Sequence, residues 1–563
     1  MAKRLDLVRT AVSKGTRAGG QEFDLVIRGG QVVDGTGRPG FPTDIGVVEG
    51  GIAALGNLSS ASASHVIDAN DLIVAPGIID MHTHSDLSLL ADGRAESSVA
   101  QGVTTEVVGQ CGFSAAPARD RGAFMFLSPW LRRVEPRWQD MDGYLGALES
   151  VPLTHNVLTL VGHSTVRYSV LGQLNGPPGK GELGRMEDEV RAALEAGAFG
   201  LSSGLEYFPG SAASAEELVA LCRVVREYSG LYASHIRSMS DDALTATQEL
   251  VDVCRRTGVR AHHSHLGAFF PGEDLLPQMI AAMEDARSNG LQITADATLI
   301  GIVSSYPPER QRPSGWTMLD TILPPWALDG GPRQELLRLR DSTTRERLKT
   351  YDRPKFHQVL TGAWEEIYLH SSRANPSEVG LSIAEIATLR GRSGHDVALD
   401  LLAEEIEAGE TMAPMVTART TPLANVDLAV LWEHSCIISD SFSVSRDGPT
   451  ADFQTVPNAY GNFPCFLNRY VTQMQSLSLE EAIRKCTSLP ARVLGLVDRG
   501  EIRVGMKADL MIFHPRDVAD KATYENPRSL PVGIRHVIVN GEPVVSEGAL
   551  TGRSPGEVIR RGR

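Results

Sequence analysis

The stretch GIIDMHTHSDLSLL, residues 77–90, ends an apolar run in His82 and His84, with Asp86 two places further on. Side chains alternate faces along a strand, so His82 and His84 project together if Ile78 to Met81 are a buried strand. Two imidazoles aimed at one point suit a metal ion. Other chemically capable residues close β-like runs elsewhere: Cys111 in VVGQCGFS, His235 in LYASHIRS, His265 in AHHSHLG and Asp440 in CIISDS. A carboxylate at the end of an apolar strand is costly unless paired or metal-bound. Imidazoles, a thiolate and a carboxylate together suit Zn2+, which takes N, S and O ligands. A lone strand-end histidine or a cysteine in an apolar run is more often a packing residue. The set, not any single member, points to a metal. His262 and His263 compete with His265, and alternation puts His263 rather than His262 on the face of His265. Glu106, five residues before Cys111, falls on the opposite face of a regular strand and is not counted as a ligand.

These residues need a frame that brings distant strand ends together. Eight candidate strands end near His82, Cys111, His163, Ser203, His235, His265, Asp296 and Asp440. Amphipathic helices are expected at 185–196, 214–228 and 477–486, with Ser214 as an N-cap and Glu217 completing a capping box. This alternation predicts a (β/α)8 TIM-like barrel over 76–490, whose chemistry gathers at the C-terminal strand ends. The gap between Asp296 and Asp440 is too long for one loop, so an insertion or lid is expected at about 305–425. Its tryptophans, Trp316, Trp326 and Trp364, are candidate apolar walls for a substrate. Val-rich runs at both ends, one pair joined by Asn540-Gly541, predict a small β-sandwich built from 23–75 and 491–558. Residues 1–22 read as a flexible leader.

A chain of 563 residues calls for more than one structural unit. The formal charge of −15 argues against nucleic acid and anionic membranes as partners. No apolar run reaches the length of a membrane span. The six cysteines lack a framework spacing, which points to reduced thiols and a cytoplasmic protein. A homo-oligomer is compatible with the sequence.

The segments APGIIDMHTHSD, GVTTEVVGQCGFS, VGHSTVR, GAFGLSSGLEYFPG, SHIRS, SHLG and ISDS, with the tail LSLEEAIRKCTSLPARVLGLVDRGEIRVGMKADLMIFHP, resemble the amidohydrolase superfamily. Within it the chain resembles the N-acyl-D-amino-acid deacylases, over about 23–558. The resemblance implies a tight zinc site on Cys111, His235 and His265, and a second, weaker site on His82, His84 and Asp440. One or two Zn2+ per chain are therefore expected. It also implies that Asp440 takes a proton from the attacking water and returns one to the leaving nitrogen.

Three stretches depart from the pattern. The resemblance implies a lysine, a tyrosine and an arginine that bind the substrate's free carboxylate; here those places hold Gly267, Thr298 and Asn458. Cys465 replaces a further arginine. Without a bidentate guanidinium an anion loses its best partner. The expected activity is thus cleavage of a linear amide C–N bond in a neutral or bulky N-acyl amide. The alternative is an ordinary N-acyl-D-amino-acid deacylase, with the charge supplied by Arg237 or Arg167. A hydantoinase-like cyclic-amide hydrolase and an inactive metal-binding scaffold are further alternatives. Ser304 is a surviving carboxylate contact by the same resemblance. His163 and Arg167, in VGHSTVR, and Glu206 and Tyr207, beyond the fourth strand, complete the substrate-site candidates.

Overall fold

The computed structural model describes residues 22–172, 176–307, 311, 314–410 and 412–562. The expected leader lies outside the described residues except for Glu22, which is exposed. Eight parallel strands dominate the α/β middle of the chain: β1 (Ile78–Asp80), β2 (Val103–Val108), β3 (Asn156–Thr159, resumed at Val161–Gly162), β4 (Gly200–Gly204), β5 (Leu231–His235), β6 (Arg260–His263), β7 (Ile293–Thr298) and β8 (Ser435–Ile438). Each pairs with its neighbour in sequence order, and β8 follows β7 directly across the long insertion. Just past β1 and β8, Thr83 and Ser441 form a parallel bridge.

The strand sequences fit a sheet covered on both faces. The VTTEVV of β2 is buried at every position, so it reads as a near-continuous β-branched run rather than an alternating one. Ile79, Val107, Leu158, Ala233 and Ile438 gather in one buried cluster. Ile78, Val157, Tyr232 and Ile437, on the opposite strand faces, join Leu194, Leu221, Val253 and Met279 in another. Those last four come from the crossover helices α1 (Lys180–Ala196), α2 (Ala215–Glu227), α3 (Ala243–Thr257) and α4 (Leu276–Ser288).

Ser214 caps α2 as its sequence predicts, accepting from the Glu217 backbone at 3.3 Å. The reciprocal half of the capping box is not among the bonds of Glu217, because its carboxylate is spent on His163 and Arg167. The last of the three expected helices, α5 (Leu479–Cys486), begins after the cap Ser478, two residues later than expected.

The chain ends meet in one sheet, where Ile73–Pro76 pairs antiparallel with Leu510–Phe513. A second sheet of residues between Phe23 and Asp68 packs on it, sharing a core of Leu25, Ile45, Met506 and Ile512 among others. Asn540 and Gly541 turn the hairpin expected of them, with φ of 47° and 82°.

The segment between β7 and β8 carries its own antiparallel sheet, Ser314–Met318, Ile367–Ser371 and Met415–Arg419, over a separate apolar core. Trp364 belongs to that core and Trp326 lies beneath the Arg347 guanidinium at 4.1 Å. Neither lines a cavity beside the strand ends, contrary to the sequence expectation. The Trp316 side chain lies outside the described residues. No helix among the described residues is long and apolar enough to cross a membrane.

Candidate metal centre

The bridge between the extensions of β1 and β8 sets the first half of the site. The Asp440 amide donates to His82 O at 3.1 Å and the His84 amide to Ser441 O at 2.8 Å. This zipper places Asp440 Oδ1 at 3.3 Å from His84 Nε2 and 3.5 Å from His82 Nε2. Cys111 sits three residues beyond β2, in a turn anchored by Gln110 Nε2 on Met81 O at 2.6 Å. Its Sγ lies 3.3 Å from His82 Nε2, 3.4 Å from His265 Nε2 and 3.8 Å from His235 Nδ1. His235 Nδ1 and His265 Nε2 are 2.9 Å apart. Two groups result, His82–His84–Cys111 and Cys111–His235–His265, with the sulfur common to both.

Cys111, His265 and Asp440 adopt φ of 53°, 35° and 50°. Three non-glycine residues in the left-handed region, all where strands give way to loops, mark backbone strain held for the sake of the site.

The donors fit zinc. Nitrogen and sulfur ligands in a tetrahedral zinc site stand about 3.3–3.6 Å apart at ordinary bond lengths. The observed separations of 2.9, 3.4 and 3.8 Å bracket that range. His84 Nδ1 is buried without a hydrogen-bond partner among the described residues. Burial works against a charged Cys111, but His82 and His265 beside it hold the thiol well below its usual range. Burial likewise opposes the Asp440 carboxylate, yet His82, His84 and His265 keep it below its ordinary value, so it is ionised at neutral pH.

Asp296, which the sequence marked only as a strand end, orients the centre. Its Oδ2 accepts from His82 Nδ1 at 3.3 Å and from His262 Nε2 at 3.0 Å, and its Oδ1 accepts from the His265 backbone amide. With Nδ1 so engaged, His82 presents Nε2 to Cys111 and Asp440. The expected choice between His262 and His263 is reversed. The strand stops at His263, and Ser264 and His265 turn, so alternation does not carry across to His265. His263 lies near Thr247 of α3, and burial lowers its pKa to about 3, leaving it neutral.

Glu206 was named in sequence only as a pocket neighbour. Its Oε2 accepts from His235 Nε2 at 3.0 Å, leaving Nδ1 for the centre, and also binds Lys355 Nζ. Lys355 comes from the insertion, and no sequence signal distinguished it.

Other substrate-site candidates divide. Thr298 and Tyr207 line a small cavity of 70 Å³ with His235, His265, Gly267 and Asp440. A cleft of 580 Å³ beside it shares Tyr207 and Lys355 and is also lined by Arg237. Arg237 is committed there to Glu249 and to the carbonyls of Ser211 and Ala213. His163 and Arg167 are buried and bind Glu217 at 2.8 and 2.5 Å, away from both cavities. Neither is placed to meet a substrate, because each is spent closing a buried ion pair. Ser304 is tied to Asp520 through both its amide and its hydroxyl. Asn458 is buried and donates to Ser439 O, as does Thr298 Oγ1 at 3.4 Å. At two of the three clamp positions, therefore, Thr298 and Asn458 brace the residue before Asp440.

A family model described as the amidohydrolase family matches residues 65–545. The N-acyl-D-glutamate deacylase of Alcaligenes xylosoxydans xylosoxydans is 34% identical over 542 residues, 96% of this chain and 97% of that protein. The D-aminoacylase of the same organism is 32% identical over 546 residues, covering 96% and 98%. Among solved structures, the N-acyl-D-glutamate deacylase from Bordetella bronchiseptica, complexed with zinc and a phosphonate inhibitor, superposes with a TM-score of 0.79. It is 31% identical and covers 96% of this chain and all of that one.

Proposed function

Since the chain belongs to the amidohydrolase family, we propose that it is a zinc-dependent hydrolase cleaving the linear C–N bond of a neutral N-acyl amide. The eight parallel strands, with the Thr83–Ser441 bridge between the last and the first, are read as a closed (β/α)8 barrel. Residues 23–75 and 491–558 form its flanking sandwich and about 305–425 its insertion. Cys111, His235 and His265 would hold one zinc ion, and His82 and His84 with Asp440 a second. Zinc bound there brings the pKa of water towards neutrality and polarises a carbonyl oxygen.

The chain's own residues move the proton. Asp440 is a carboxylate braced through Ser439 and held by His82 and His84. It takes the proton of the attacking water and delivers it to the nitrogen as the C–N bond breaks. Asp296 and Glu206 fix the ring orientations of His82 and His235. Six buried cysteines without disulfides among the described residues support a cytoplasmic location.

One observation carries the substrate assignment. Among the described residues of the small cavity, Lys355 is the sole lysine or arginine, and it is already neutralised by Glu206. Besides His235, His265 and Asp440 of the centre, the cavity offers the Asn425 amide, hydroxyls and apolar surface. Thr420 Oγ1 is buried there without a hydrogen-bond partner among the described residues, and its hydroxyl can both donate to and accept from an uncharged amide. The test is a matched pair, an N-acyl-D-amino acid and the same compound with its carboxylate capped as an amide. The capped compound is expected to have the higher kcat/KM. A clear preference for the free acid would mean an ordinary deacylase.

A further inference from the structure

We propose that Glu206 is a specificity-determining residue that makes the pocket reject carboxylates by neutralising Lys355. The proposal rests on the neutral-amide reading above and names the residues responsible for it.

Glu206 lies two residues beyond β4, and Lys355 reaches it from the insertion, where its backbone amide is held by Thr321 O at 3.2 Å. The Lys355 side chain is 3% exposed and Glu206 11%. A lysine is seldom so buried unless paired. The ammonium lies 5.1 Å from the Tyr207 ring centre and 5.8 Å from that of Phe269, and Lys355 lines both cavities. Arg237 and Arg353, in the larger cleft, are bound by Glu249 and Asp242. Among the described residues, Lys355 is therefore the one lysine or arginine lining the cavity beside His235, His265 and Asp440.

Its charge is unavailable. A single oxygen, Glu206 Oε2, receives both Lys355 Nζ and His235 Nε2. An incoming carboxylate would meet a pair of no net charge, and would lose its hydration without gaining a cation. A capped amide carries no such penalty. Glu206 thus has two consequences from one position: it orients His235 and it silences Lys355.

The experiment measures kcat/KM for the acid and the capped amide in wild type and variants. Glu206→Gln keeps an acceptor for His235 and frees the ammonium, so the acid-to-amide ratio should rise by about 10- to 100-fold. Lys355→Met leaves the Glu206 carboxylate without its cation, bonded to His235 alone, and should lower the ratio. The double variant should return to within about threefold of wild type, and Lys355→Arg should hold the wild-type ratio. A merely structural pair would depress both substrates together and leave the ratio fixed in every variant, which would overturn the proposal. The two readings fail differently. A wild-type protein preferring the acid sinks the neutral-amide reading and this proposal with it, whereas an amide-preferring wild type with immovable ratios sinks this proposal alone.

Discussion

Asp440→Asn is expected to lower kcat by about 10³-fold, within the span that general acid–base groups supply. Asparagine has the same shape and keeps the backbone bond to His82 O, so the zipper between β1 and β8 should survive. What it loses is the ability to accept the water proton and hand it on. Zinc held by Cys111, His235 and His265 should stay in place, because none of those side chains depends on Asp440 for its geometry. Turnover with zinc content measured on the same sample separates the two effects. Loss of rate with zinc retained supports the assignment; a variant within tenfold of wild type would move the proton transfer to another group.

Cys111→Ala carries the second large effect. Its sulfur is the shared member of both donor groups, within 3.8 Å of His82, His235 and His265. Removal of a partner outside the ligand set costs about 10- to 100-fold in metal affinity, and loss of a thiolate that serves both groups should exceed that. Zinc competition with a chromogenic chelator should show affinity falling by more than about 100-fold. Hydrolysis should fall in parallel at limiting zinc. An alanine variant that binds zinc as tightly as wild type would show that Cys111 is a packing residue after all.

How much of this centre was legible in sequence follows from how each residue gets its partners. His82 and His84 were readable because strand alternation alone puts them on one face. Cys111, His235, His265 and Asp440 were readable because each closes an apolar run, and parallel strands bring such ends to one side. Asp296 and Glu206 were not, since their roles are bonds to residues far away in the chain, His82 and His235, and a strand-end carboxylate looks alike with or without them. Lys355 was invisible for the same reason, emerging from an insertion with its own core.

Alternation misled at His263 because it assumes a strand that continues, whereas His265 turns into the left-handed region. Arg167 misled because its sequence shows a charge but not the buried Glu217 that consumes it. Thr298 and Asn458 were read as losses from a carboxylate clamp. Their gain, the bracing of Ser439, needed coordinates to see.

The most direct test of the centre is metal reconstitution. The protein is stripped with a chelator, zinc is added in steps, and bound zinc is followed together with amine release from a neutral N-acyl amide. Hydrolysis should be absent from the stripped protein and return in proportion to bound zinc, while Asp440→Asn binds the metal and stays inactive. Hydrolysis that persists without metal, or zinc that binds fully and restores nothing, would contradict a metal-dependent amidohydrolase built on these six residues.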